Sequence, residues 1–557
     1  MPNYFSIQEF YGIQQHKDGA LLPPGTAYDA RNVDTSDGNL RLAKGFEKFN
    51  SMAAVPGSEG IYKLIIARTS SGRKWYCVTS GRVYVYSGSA WSQIANSTFS
   101  PALTASKSVD CLQTKIGADD YLILATGTQQ MMKIKISNDS ASAFGSGSTG
   151  YSGTVSSYNS STRKVTLASS LDTESARRAL AYGVTIAGTL HQVSAASGTS
   201  ITLKNVPATN PAANDAVSVR GGGSNASCAF VGLYYSRLIA AGDPSNPSRL
   251  YWSAISGDGR TVEDWLSVDG SVDASGGYVE IGNTSGDKIT GMCVLSTQVL
   301  IFKEHSVWRM YGDRPSQFTV ERVEEFGEAV ANSSIVIKYD VPQFLTKTGI
   351  KYYDGTGVLP INRGERVLDR FVQTIKSVKK SIGFHNDNFL YFTCTCGTST
   401  SVLYTDTIVV YDIGRQSFMI RDGFRIYDMI ADDGQIFLIN GDRYVYEFNK
   451  GYTYAGANIN AYWNTQPTDL LAKYYKKQIK ELMFRGTAGR INFTVRDGSN
   501  KTFPKRTLFQ DNDGYNSISV STNKARVFEI RIENEEGSYF EILGGLDISY
   551  DRELSQK

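Results

Sequence analysis

The sequence predicts an all-β chain: a β-propeller of about seven blades, six or eight being the alternatives, with a small inserted β-domain and a C-terminal β-sandwich. Three observations predict it. The first is a recurring hairpin phrase, an apolar run, a tight polar turn and a second run carrying aromatics. It reads VTSGRVYVYSG at 78–88, FKEHSVWRMYGD at 302–313, LTKTGIKYYDGT at 345–356 and LINGDRYVYEFNKG at 438–451. Apolar and polar residues alternate on both arms, as on half-buried strands. The turns hold Gly, Asp, Asn and Ser, which accept the positive φ of hairpin turns. The second is spacing: such hairpins return at roughly 30 to 50 residues, the interval of radially repeated sheets. The third is composition, with 53 Gly, 33 Tyr and 25 Phe favouring sheets and turns over helices.

A chain of 557 residues and 41% hydrophobic content has room for two to four cores, at roughly 100–250 residues each. Residues 1–50 are expected to form an N-terminal arm and the strand that closes the propeller. Residues 51–137 form its first part and 225–451 its second. Between them, 138–224 turn rich in Ser, Gly, Ala and Thr, with short strands and one stretch, ESARRALAYG, that predicts a brief helix. Its ends (NDSASAFGSGSTGYSG and GGGSN) have linker composition, so this segment reads as an inserted domain. The seventh sheet unit shows only three strands, and residues 40–49 are expected to supply the fourth, since closure removes exposed edges. From 452 to 557 the strands lengthen and lose the hairpin phrase, as in a β-sandwich; 467–477 are expected to hold a helical turn.

The search for chemistry gives little. His16, His191, His305 and His385 include no i, i+4 pair and no H-E-x-x-H, and there is no G-x-S-x-G elbow. Residues 282–290 contain Gly, Lys and Thr but depart from phosphate-loop spacing. The single match to a sialidase box, at 256–260, has Arg260 where glycine belongs, and no carboxylate pair stands out for glycoside hydrolysis. Segments 428–434 and 511–514 lack the last glutamate of a calcium loop. The six cysteines read as buried thiols of a reducing compartment; Cys394 and Cys396 share a strand face, but no second pair completes a zinc site. No enzyme activity, cofactor or metal is therefore expected. The N-terminus lacks a signal-peptide pattern and no apolar run reaches the ~20 residues of a membrane span. A net charge of +3 makes no claim by itself on nucleic acid or membrane. The candidate subunit- or DNA-facing residues are Lys473, Lys476 and Lys477, interleaved with tyrosines, and Arg363, Arg366 and Arg370, followed by Lys376, Lys379 and Lys380. The plainer alternative is solvated faces balanced by nearby acids.

Four phrases, in order along the chain, resemble the tail tubular protein B, or nozzle, family of short-tailed bacteriophages. They are AYDARNVD at 27–34 with DGNLRLAKGF at 37–46; NPSRLYWS at 246–253 with Asp264 and Trp265; VLIFKE at 299–304 with Val307 and Trp308; and AYWNT at 461–465 with Lys476 and Lys477. The resemblance implies a structural virion protein of a short tail, made in the host cytoplasm and lacking a catalytic site. It implies rings, usually hexamers, around the DNA exit channel, contacts with an adaptor or tail-tube ring and with tail fibres, and double-stranded DNA passing without sequence readout. Two alternatives stand beside it: a glycan-binding or glycan-cleaving propeller of a phage fibre or cell surface, and a protein-interaction propeller scaffold.

Overall fold

The alternating segments become strands, and consecutive strands pair. In a computed structural model, residues 3–15, 22, 24–104, 107–145, 150–222, 227–257, 259–266, 273–282, 287–361, 368–396, 403–498, 506–509 and 514–554 are described. Seven four-stranded antiparallel sheets, the blades of a β-propeller, occupy 61–93, 110–143, 230–280, 289–325, 336–360, 383–426 and 428–448, the last borrowing its fourth strand from the N-terminal region. The first six are meanders whose strands pair with chain neighbours, most of them across short turns, although the third takes its last strand after residues 253–276. The turn of the seventh sheet shows the required chemistry, with Asp433 and Gly434 at φ 52° and 73°, both left-handed as a two-residue hairpin demands.

The chain divides into two compact units, one of residues 1–64, 86–91 and 333–557, the other of 65–85 and 92–332. In the second unit, cores form around Ile239, Leu250, Ile301 and Met310, and around Ile123, Leu238 and Trp265. The first strand of each sheet leaves one edge without a partner in its own sheet, so its N–H groups need other acceptors. Polar side chains of an adjacent sheet, or of the turn that leads into it, provide them. Asp110 Oδ2 accepts the Val231 N–H at 3.0 Å and Asn332 Oδ1 the Met292 N–H at 2.8 Å. The Gln113 amide bonds both the N–H and the C=O of Arg68, at 3.1 and 2.8 Å.

The insert is a seven-stranded β structure over 151–219 with helix α1 (Thr173–Tyr182) packed on it. Val155, Val165, Ala179, Ile186, Ile201 and Val217 make its core. Asp172 caps α1, its carboxylate accepting the Ser175 N–H at 2.6 Å. One boundary shifts: Ser140–Ala143, which sequence composition places in the insert, pairs with Met132–Lys135 as the fourth strand of the second propeller sheet. Only Ala141 of this strand is buried, too weak an apolar alternation to mark a strand.

The first unit differs more from expectation. Residues 40–49 split between two sheets. Phe46–Lys48 pairs with Val445–Phe448 and completes the seventh sheet, whereas Leu40–Leu42 pairs with Phe540–Leu554 of the C-terminal domain. Lys44 and Gly45 make the switch; a side chain at Gly45 would strike the Thr453 carbonyl. The N-terminal region is not an arm; its described residues form six short strands. Asn3–Ile7 also pairs with Phe540–Leu554. Tyr11–Ile13 and Thr26–Arg31 link the sixth propeller sheet to the C-terminal domain, Ile13 facing Phe418 and Ala30 facing Trp463. The result is one ten-stranded sheet running from Gly383–Asn386 to Arg506–Phe509. Across from it lies the sheet of Tyr475–Ala488, Phe540–Leu554 and Tyr515–Ser519. Ile479, Leu482, Phe484 and Ile548 of this sheet, and Ile491, Phe493, Ile530 and Ile532 of the first, belong to one buried core. These two faces are the C-terminal sandwich. In place of a helical turn, residues 467–477 make two tight turns beside an isolated Thr468–Phe528 bridge.

Candidate functional site

The lysine segment opens the long strand Tyr475–Ala488. On one side this strand pairs with Phe540–Leu554, placing Lys476 opposite Glu553 and Lys477 opposite Arg552. On the other side Lys477 and Ala525 exchange backbone hydrogen bonds of 2.7 and 2.9 Å. Residues far apart in sequence thereby gather at one end of the sandwich: Lys473, Lys476, Lys524, Arg526 and Arg552, all exposed. Glu553 pairs with Lys524, and Asp551 pairs with Lys480 at 3.4 Å. Lys473 and Lys476 form no ion pair among the described residues. The Arg552 guanidinium lies 5.1 Å from the Tyr475 ring and Tyr474 stands 76% exposed. Such an edge of surplus cations with aromatic faces suits a polyanion or an anionic surface. Sequence spacing pointed to Lys473 and Lys476. Lys524, Arg526 and Arg552 carry no local signal, because only strand pairing brings them there.

Lys477 is a correction. It is fully buried, and its ammonium donates to the carbonyls of Asp469 at 2.6 Å and Ala472 at 3.0 Å. Burial pulls its pKa below the ordinary lysine value, against the attraction of Asp469. Strand alternation explains the inversion: Lys476 and Lys477 are neighbours, so they point to opposite faces. Lys477→Met is expected to cost about 2 kcal/mol, the scale of removing a donor from buried carbonyls, read as a lower denaturation midpoint.

Arg370 lies in the first turn of the short helix α2 (Asp369–Thr374), exposed, with its guanidinium 4.2 Å from the Tyr28 ring. The Gln15 side chain accepts the N–H groups of Arg370 and Phe371 at 2.9 and 3.0 Å. This residue is thus seated on the N-terminal strands. Arg363 and Arg366, like His16, lie outside the described residues.

Of the other histidines, His305 and His385 are exposed and His191 half-buried; burial and Lys338 pull His385 below its ordinary pKa. Cys394 and Cys396 bring their sulfurs to 3.5 Å. Among the described residues no group of three or more His, Cys, Asp or Glu is placed to hold a metal, and no helix is long and apolar enough to cross a membrane.

Two charged groups, buried Asp428 and half-buried Lys380, sit where the seventh sheet meets residues 61–64. Asp428 is buried and accepts the Leu64 N–H at 2.6 Å; burial raises its pKa. The Lys380 ammonium lies 4.6 Å from the Tyr62 ring, and burial pulls it down to about 8 from 10.5, although Asp428 opposes the shift. A lysine lowered in the fold opposes folding while it is charged, fully below about 8, and stops doing so as pH rises to 10.5. The stability gap between the wild type and Lys380→Met is therefore expected to move in favour of the wild type between those two values, read as melting temperatures across that range.

No family model matches this chain, and no curated protein matches it. Among solved structures, it is similar to the WD40 domain of Neurospora crassa Pan2, with 7% identity, 73% of this chain and 94% of that one covered, and a TM-score of 0.32. The N-terminal domain of Nup159 gives 8% identity, 73% and 95% coverage and 0.32. An exo-β-1,3-galactanase from Phanerochaete chrysosporium gives 8% identity, 57% and 94% coverage and 0.23. At such scores the fold rests on the chain's own seven sheets.

Proposed function

We propose that this chain is a structural component of a short phage tail, a nozzle subunit that forms an oligomeric ring around the DNA exit channel. The observation that carries this reading is the ten-stranded sheet that continues from the sixth propeller sheet through the N-terminal strands into the sandwich. A conduit that bears ejection must not flex between its parts, and a continuous backbone ladder resists bending where a linker would not. Two of the phrases that resemble the nozzle family are themselves adjacent in this sheet, Ala27 facing Thr465 and Arg31 facing Tyr462. The role is mechanical rather than catalytic: copies pack as a ring, usually six, against an adaptor or tail-tube ring and tail fibres in the virion, and DNA passes without sequence readout. Electron microscopy of the purified protein and of virions tests it. Rings at a tail tip are the expected result; a lasting monomer absent from particles overturns it.

A further inference from the structure

We propose that the loop tip at Leu471–Tyr474 docks onto an anionic lipid surface. Leu470 and Leu471 both adopt positive φ, 51° and 57°, a conformation that leucine disfavours. Leu470 is buried, but Leu471 is 80% exposed. Folding gains nothing from an exposed leucine in a strained turn, and strain held in place by its surroundings points to use elsewhere. The surroundings do hold it. Thr468 Oγ1 accepts the Leu470 N–H at 3.1 Å, and Asp469 Oδ1 accepts the Leu471 N–H at 2.9 Å. Beneath the loop, the buried Lys477 ammonium ties the carbonyls of Asp469 and Ala472 together. The tip is thus preorganised, and it presents Leu471, then exposed Lys473, Tyr474 and Lys476.

This set matches the layers of a membrane interface in order. A leucine partitions into the acyl boundary, a tyrosine rests among headgroups, and lysines meet lipid phosphates. A DNA backbone uses only the lysines and leaves the exposed leucine without a purpose. The inference does not depend on the ring reading, since it concerns the tip of one chain.

The full chain, mixed with vesicles of phosphatidylcholine alone or with added phosphatidylglycerol, provides the test by co-sedimentation. Binding to the anionic vesicles, weakened by salt, and little binding to phosphatidylcholine alone are expected. Leu471→Asn removes the inserted apolar group without changing the charge and is expected to weaken binding about tenfold or more. The same change relieves strain, because asparagine accepts positive φ more readily than leucine, so its melting temperature should hold or rise. A double Lys473→Gln, Lys476→Gln variant should lose about tenfold as well. Failure to bind anionic vesicles, or binding indifferent to Leu471→Asn, overturns the proposal. So does displacement of the vesicles by a short DNA duplex that binds the wild type and Leu471→Asn alike, which marks the edge as a polyanion surface instead.

Discussion

Replacing Phe46 by alanine is expected to destabilise the first unit by about 4 kcal/mol, the range of buried phenylalanine truncations. Phe46 is fully buried on a strand of three residues. Its ring meets those of Phe424 at 5.1 Å, Tyr446 at 5.0 Å and Tyr454 at 5.2 Å. Truncation removes these contacts and opens a void at the one strand that completes the seventh sheet. With so few backbone bonds holding Phe46–Lys48 to Val445–Phe448, the side chain is the main anchor. Lys48→Ala on the same strand is the comparison. Lys48 is exposed and its ammonium lies 3.4 Å from the Tyr444 ring, an interaction of about 1 kcal/mol at such a site. Guanidinium denaturation of both variants checks the contrast. Equal midpoints for Phe46→Ala and the wild type would show that the borrowed strand does not hold the sheet closed.

That closing strand marks where the sequence was readable and where it was not. The seven sheets announce themselves through repetition: turns with Gly and Asp, and arms such as Val299–Phe302 that are buried throughout. Repetition is local, so a single chain displays it. The N-terminal fifty residues repeat nothing. Their strands are two to six residues long, and most also pair with partners about four hundred residues or more away, which no periodicity reveals. Gly12 illustrates the cost of that blindness. A side chain there would meet the Phe418 carbonyl, so glycine is required, yet in sequence it is one glycine among many. The candidate site divides the same way. Lys473 and Lys476 were legible as a cluster, Lys477 was misplaced because strand alternation turns it inward, and Arg526 and Arg552 arrive only through pairing.

The insert offers the second large effect. Arg177 on α1 grips Asp264, which lies between the third and fourth strands of the third propeller sheet, through two bonds of 2.6 and 2.8 Å, and also donates to the Gly259 carbonyl at 2.6 Å. The Asp264 carboxylate is fully buried and accepts the Thr261 N–H at 3.0 Å as well. Burial alone would lower the pKa of Arg177, but its bonds to Asp264 and Glu174 outweigh it and hold the guanidinium firmly charged. Asp264→Ala leaves that charge without its main partner, at a cost of about 3 kcal/mol, the low end for breaking a buried pair because Arg177 keeps some solvent and Glu174. The insert should then loosen from the propeller, and limited proteolysis should release it faster than from the wild type. Arg177→Met combined with Asp264→Leu removes both charges at once and is expected to recover most of the loss. If the double variant is as unstable as Asp264→Ala, the Thr261 turn that Asp264 also holds is the cause, and the clamp on α1 is secondary. Recovery in the double variant instead assigns the docking of the insert to this one ionic pair, 87 residues apart in sequence and invisible until the fold closes around it.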